Sequence, residues 1–366
     1  MSTQLAAGIP QETPPAKTKK KVVRRAARDR SQRIRQTVQW AFAALNAWIG
    51  LQFYLWVRGY EQSGHAIVSR PPGVEGWLPI AGLMNLKYWL LTGHVPSIHP
   101  AAMFLLLAFL LISLLMKKAF CSWLCPVGTA SELLWKLGRK LFGRTLRVPR
   151  AVDIPLRSLK YVLLGFFGSV IAWMSVEALA DFMGTPYGVI ADVKMLDFFR
   201  TLGTTGLIVL IVLTALSVVI ENFWCRYLCP YGALMGLVSL LSPMKIRRDA
   251  EACIDCGKCS KACPSHVQVD KLVQIRSVEC SACMACVASC PVENALQFAL
   301  PPKKAPSAAE RWRGRVAGPA TIAAAVACIF VGLVGFARMS GHWRTNLPQE
   351  IYAHLVAHAN EVTHPM

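Results

Sequence analysis

Charge is scarce in this chain. Only 16% of its 366 residues are Asp, Glu, Lys or Arg, against about 25% in soluble domains. Acidic residues number 20 against 40 basic ones. No histidine falls in the middle of a long apolar run, which argues against a membrane haem held by two histidines. There is no C-x2-C-H for covalent haem and no G-x-G-x-x-G for a nicotinamide or flavin dinucleotide. Electrons, if the chain carries them, must enter from a quinol or a protein partner.

What is present is apolar sequence and cysteine. The chain is 54% hydrophobic, has a mean hydropathy of +0.40 and contains 13 cysteines. Five segments have about the 20 residues that a bilayer crossing needs: Val38–Val57, Pro100–Met116, Leu159–Leu179, Leu202–Ile220 and Ala317–Ala337. Gly76–Leu91 is shorter, carries Pro79 and Lys87, and reads as an interfacial or re-entrant helix. The net charge of +20 would suit a nucleic-acid binder, but the basic residues bracket the apolar segments. Ten lie between Lys17 and Arg35, nine in Lys117–Arg157 and thirteen in Glu221–Arg315, whereas the alternate loops hold two or three. They therefore read as topology signals, with the N-terminus and the third basic segment in the cytoplasm and the C-terminus outside.

That third basic segment holds two runs of C-x2-C-x2-C-x3-C-P: Cys253, Cys256, Cys259, Cys263, Pro264, then Cys280, Cys283, Cys286, Cys290, Pro291. This is the spacing of bacterial two-cluster ferredoxins, in which the fourth cysteine of each run serves the other cluster. Cluster one then takes Cys253, Cys256, Cys259 and Cys290, and cluster two takes Cys280, Cys283, Cys286 and Cys263. A zinc site has no use for the x3-C-P ending, and a disulfide framework needs an oxidising compartment.

Four more cysteines form a repeat. Cys121 and Cys125-Pro126 follow the second span, and Cys225 and Cys229-Pro230 follow the fourth. An apolar, helix-like run follows each, Val127–Phe142 and Tyr231–Leu241. Proline suits the first helical turn, which places Cys125 and Cys229 at helix N-termini, where a thiolate is favoured. The four are candidate redox or metal thiolates; the spacing leaves open a joint iron site, two dithiols, or plain packing. Cys328, alone in the fifth span, reads as core packing. A quinol region is expected around Glu75, Lys87, His94 and His99, with Asp192 and Lys194 in the matching loop of the second half. His354 and His358 are spaced i, i+4, but with no Glu or Cys beside them they read as solvated tail.

These motifs together resemble the NapH/NosR/CcoG-type membrane polyferredoxin family, with a layout most similar to its YccM-like members. The resemblance covers roughly residues 38–300. It implies an all-α polytopic membrane protein of about five transmembrane helices in duplicated halves, with an inserted α+β ferredoxin domain carrying two [4Fe–4S] clusters. The expected boundaries are a basic, disordered tail (1–36), a four-helix membrane domain (37–241), the ferredoxin (242–300), a linker (301–316), the fifth helix (317–337) and an outer tail (338–366). The implied location is the bacterial inner membrane. The implied partners are the bilayer, quinone or quinol, and a membrane or extracytoplasmic redox protein; no nucleic acid is expected. The implied role is an electron-transfer component rather than a stand-alone enzyme, with an assembly factor that reduces a metal or disulfide as the alternative. The chain lacks the large C-terminal domain of CcoG-like members and the long N-terminal domain of NosR. Positive-inside makes an alkaline phosphatase fusion after Pro365 active and one at Lys303 inactive; the reverse pattern would put the ferredoxin segment outside.

Overall fold

The computed structural model describes residues 24–25, 29–305 and 307–364, so most of the expected basic tail lies outside the described residues. The helices run in the order α1 (Ser31–Ser63), α2 (Pro79–Thr92), α3 (Pro100–Met116), α4 (Ala119–Trp123), α5 (Pro126–Phe142), α6 (Arg150–Trp173), α7 (Val176–Gly184), α8 (Pro186–Val189), α9 (Ala191–Arg200), α10 (Thr204–Val219), α11 (Pro230–Val238), α12 (Lys258–Lys261), α13 (Ala285–Ala288), α14 (Ala308–Trp312), α15 (Pro319–Met339) and α16 (Gln349–Ala357). Strands β1 (Lys245–Arg248) and β2 (Leu296–Ala299) pair antiparallel, with Lys245 opposite Ala299.

Among the described residues, two helices are long and apolar enough to cross a membrane, α6 and α15, or three if α9 and α10, bent by 83°, count as one span. Helix α1 has the length, about 50 Å at 1.5 Å per residue, and turns Trp40, Trp48, Leu51 and Leu55 outward. Helix α3 is only 17 residues long. It is apolar on every side and correspondingly buried, with Ala101, Met103, Ala108 and Ile112 at 0% exposure; a helix hydrophobic all round belongs inside. The run expected to continue to Leu179 instead stops at Trp173. Ser175 ends it by capping the next helix, its hydroxyl accepting from Ala178 N at 3.1 Å, since a serine oxygen satisfies an orphan N-terminal donor. The segment 76–91 begins as a short 3₁₀ turn, Pro72–Trp77, before α2 starts at Pro79.

The ferredoxin-like segment shares the core of the helical part. One apolar cluster runs through Phe104 and Phe109 of α3, Trp123 of α4, Ile246, Met284 and Phe298 beside the small sheet, and Ile322 and Val326 of α15. Polar contacts fix the docking. Trp123 Nε1 donates to Ala282 O (3.2 Å), Ser122 Oγ to Ser281 O (2.5 Å) and Lys117 Nζ to Ser277 O (3.0 Å). Lys160 of α6 pairs with Glu279 at 2.6 Å, both buried. A second core at the opposite end joins Phe53, Trp56 and Tyr60 of α1 to Ile190, Val193, Tyr352 and Val356. The tail helix α16 is therefore packed rather than solvated, although His354 and His358 themselves face outward, their rings 4.8 Å apart.

Near the ferredoxin end, Arg35 of α1 grips Glu132 of α5 through two 2.6 Å bonds, and Gln39 adds a third at 3.1 Å. Burial opposes charge on Glu132, but Arg35 and Lys136 outweigh it and hold its pKa at about 2, below its ordinary 4.5. A depressed carboxylate pKa stabilises the fold above the ordinary value, and that stability is lost as pH falls through the folded value. Glu132→Gln should therefore cost on the order of 2 kcal/mol at pH 7 in a thermal scan of detergent-solubilised protein. The gap to wild type should narrow from pH 4.5 towards pH 2. Equal melting at pH 7 would show that the pair contributes nothing.

Candidate redox centre

The two C-x3-C-P motifs meet in space. Cys125 and Cys229 sit at the N-caps of α5 and α11, in extended conformation, each followed by proline at the first helical position. Cys229 Sγ accepts from Gly232 N at 3.2 Å. Cys121 lies on α4 and Cys225 in a π-helical turn, Trp224–Leu228; such turns recur at functional sites. Gly128 has no substitute, because a Cβ there would stand 2.3 Å from Cys121 O. All four cysteines line one cavity of about 510 Å³. At the same end are Lys118, Phe109, Phe120 and Tyr231; the far end is lined by Arg70, Arg338, Trp343 and Arg344.

The helix N-terminus at α5 does not make Cys125 acidic in the bare protein. Burial pushes Cys125 up to about 12 and Cys121 up to about 11, and burial raises Cys225 as well. The expected thiolate preference is thus overturned at Cys125: removing the charge from water outweighs a helix-end dipole that acts only over its first turn. Burial also opposes charge on Lys118, but Cys121, Glu279, Cys229 and Cys225 around it raise its pKa. A bound cation would reverse the balance, since a coordinating thiol is deprotonated outright.

The ferredoxin cysteines surround two hollows. One is lined by Cys253, Cys256, Cys259 and Cys290, the other by Cys263, Cys280, Cys283 and Cys286. Among the described residues no three His, Cys, Asp or Glu side chains converge closely enough to hold a single ion. Four cysteines around each hollow, at the C-x2-C-x2-C-x3-C-P spacing, fit a cluster in which each sulfur takes its own iron better than a tetrahedral zinc. A further hollow is lined by Cys121, Cys225, Lys118 and Glu279 together with Pro264, Ser281 and Cys283, so the two cysteine systems share a wall.

The residues expected around quinol separate. Glu75 and His99 are fully buried at the far end of the helical part, with Glu75 bonded to Arg70 (2.8 Å), Thr345 (3.0 Å) and Ala102 N (3.2 Å). Asp192, from the matching loop, completes the cluster at 2.7 Å from Arg70. Burial opposes the charge on Glu75, but Arg70 and His99 hold its pKa at about 2. Lys87 is elsewhere: its ammonium donates to Ile171 O, Ala172 O and Met174 O and so caps α6. His94 is exposed and bonds within its own turn to Thr92 O. Lys194 Nζ ties to Ala359 O at 2.7 Å. Cys328 faces outward from α15 rather than into the core. Lys118 and Tyr231 were missed by the sequence reading; their closeness to a cysteine motif was the available signal.

Comparison with known proteins agrees with this arrangement. A model described as a 4Fe-4S dicluster domain matches residues 245–291. One described as a 4Fe-4S binding domain matches twice, over 98–145 and 202–249, offset by the same step that separates Cys121 from Cys225. No solved structure matches. The fold and cysteine sets define an iron–sulfur protein of the membrane, an electron-transfer class. The YccM protein of Escherichia coli (strain K12), described as an electron transport protein, is 54% identical over 90% of this chain and 91% of its own length. The ferredoxin-type protein NapH of Haemophilus influenzae is 25% identical over 68% of the chain and 83% of its own length. The regulatory protein NosR of Pseudomonas aeruginosa is 29% identical over 50% of the chain but only 25% of its own length. The chain belongs to the NapH/NosR-type membrane polyferredoxin family, and within it is similar to YccM.

In iron-free protein, iodoacetamide labelling of Cys125 should keep accelerating from about pH 8 to about pH 11, as a thiol of raised pKa requires. A plateau already reached by pH 8, read by peptide mass spectrometry, would mean a thiolate after all.

Proposed function

We propose that the protein exchanges electrons between the quinol pool, or a membrane partner, and a redox enzyme through two [4Fe–4S] clusters. Cys253, Cys256, Cys259 and Cys290 would hold one, and Cys263, Cys280, Cys283 and Cys286 the other; the two separate hollows support this crossed set. When bound, such clusters supply one-electron carriers. A quinol releases two electrons and two protons on becoming a quinone; two carriers can take one electron each, and the protons pass to water.

The observation that carries the reading is the shared wall. Cys121 and Cys225 border the same hollow as Pro264 and Cys283, so chemistry at the membrane cysteines lies next to the ferredoxin segment. Cys121, Cys125, Cys225 and Cys229 then serve as a redox or metal relay. Lys118 and Lys160, with Glu279 between them in charge, keep that junction polar but closed to solvent. In this reading the chain crosses the bilayer about five times. The N-terminus and ferredoxin segment are in the cytoplasm and the C-terminus is outside, as the basic loops favour.

Anaerobically purified protein should contain about eight iron and eight sulfide per chain and bleach in the visible region when decylubiquinol is added. Cys125→Ser and Cys229→Ser should each abolish that bleaching while leaving the iron content intact. Stoichiometric zinc in place of iron would overturn the cluster assignment. Full iron but no reduction by any quinol, together with failed maturation of a client enzyme in a deletion strain, would favour the assembly role.

A further inference from the structure

Three buried lysines stand where the helical part meets the ferredoxin segment: Lys117, Lys118 and Lys160. Two have acidic company. Lys160 is paired with Glu279, and Lys118 has Glu279 and the membrane cysteines around it. Lys117 is different. It is 0% exposed, and among the described residues no carboxylate pairs with it. The ionisable groups that act on its charge are Cys280, Lys245 and Lys118, of which only Cys280 can be an anion. Its ammonium donates to Ser277 O at 3.0 Å and Arg276 O at 3.4 Å. These carbonyls satisfy hydrogen bonds but supply no counter-charge, and an uncompensated buried charge is strongly destabilising.

The backbone sharpens the point. Lys117 closes α3 at φ 59° and ψ −165°, a region that is essentially glycine's own. Glycine there would relieve strain and bury no charge. The repeat does not ask for a cation either. On the step of 104 positions that takes Cys121 to Cys225, the same place holds Glu221, which accepts from Thr145 Oγ1 at 2.7 Å. Lys117 is therefore strained, charged, buried and without an equivalent in the other half, and it faces the loop that leads into Cys280.

We infer that Lys117 is the counter-charge of the inner cluster, the one that Cys263, Cys280, Cys283 and Cys286 would hold, and that it raises the reduction potential of that centre. Four thiolates make a ligated [4Fe–4S] cluster an anion, and an added electron makes it more negative. A fixed cation in a closed site then favours the reduced form, because attraction grows with charge. The step is a one-electron transfer: the donor loses one electron, the cluster gains it, and no bond or proton moves. At the outer set the nearby cations are already spent on carboxylates, Arg25 on Asp29 and Arg248 on Asp255. The inference rests on the two-cluster reading above and on no particular electron donor.

The test uses the whole chain, purified anaerobically in detergent and titrated with dithionite under EPR. A water-soluble dysprosium chelate speeds the relaxation of an exposed centre and so separates the outer signal from the inner one. Lys117→Gln keeps a donor for Ser277 O but removes the charge. It should make the inner centre about tenfold harder to reduce, about 59 mV for one electron, and move the outer centre far less. Lys117→Arg restores the cation and should return the inner midpoint towards wild type. A Lys117→Gln protein with full iron and an unmoved inner midpoint overturns the inference while the cluster reading stands. So does one in which both midpoints fall equally, since that reports only net charge. If Lys117→Gln loses the inner iron, Lys117→Arg decides. A loaded arginine variant upholds the counter-charge; an equally empty one makes Lys117 a packing residue and overturns it. Wild type with zinc in place of iron, and no EPR signal, overturns the cluster reading and this inference with it.

Discussion

The buried pair Lys160–Glu279, 2.6 Å apart, is the contact on which the arrangement of the redox parts depends. A lone charge at either position would be strongly destabilising, because burial without a partner costs several kcal/mol. Together they tie α6 of the helical part to the residue that immediately precedes Cys280. Around the pair, Lys117, Ser122 and Trp123 donate to backbone carbonyls between Ser277 and Ala282. A loop whose carbonyls are claimed in this way cannot drift from the helices that claim them. The membrane cysteines and one ferredoxin cysteine set are thereby held against a common hollow.

The same docking explains why the two ferredoxin cysteine sets are not equivalent. The set of Cys263, Cys280, Cys283 and Cys286 adjoins Ser122 and Trp123 of α4, which donate to Ser281 O and Ala282 O, and Cys286 is buried. The set of Cys253, Cys256, Cys259 and Cys290 lies away from them, with Cys256 exposed. On the function proposed above, an electron path laid along this order would run from the membrane cysteines, past the inner set, to the outer set. At the other end of the molecule, Arg70, Glu75, His99 and Asp192 form a closed ionic cluster that joins the two halves and the C-terminal segment. It is better described as a clamp than as a reactive site, since each member already has a partner.

The twelve cysteines of the motifs, their grouping and the internal repeat could all be read from the chain, because metal-ligand spacing is a local property of sequence. So could the helix starts at Pro126 and Pro230, because proline acts on its own backbone. The electron-transfer class followed from these. Several features were not legible. The stop at Trp173 needed Ser175 to be recognised as a cap inside an apolar run. The separation of Lys87 and His94 from Glu75 and His99 depended on how α2 packs against α6. The high thiol pKa values came from burial, which no motif records.

By itself the sequence determined the cofactor class, the paired cysteine motifs and the apolar helices, since each rests on residue type at short spacing. Tertiary structure alone decided which residues share a cavity. It brought motifs 104 positions apart (225 minus 121) into one wall, and it set Lys118 and Tyr231 beside them. The reason is physical: ligand spacing is encoded along the chain, whereas burial, desolvation and the meeting of distant side chains exist only once α3, α4, α11 and α15 have packed.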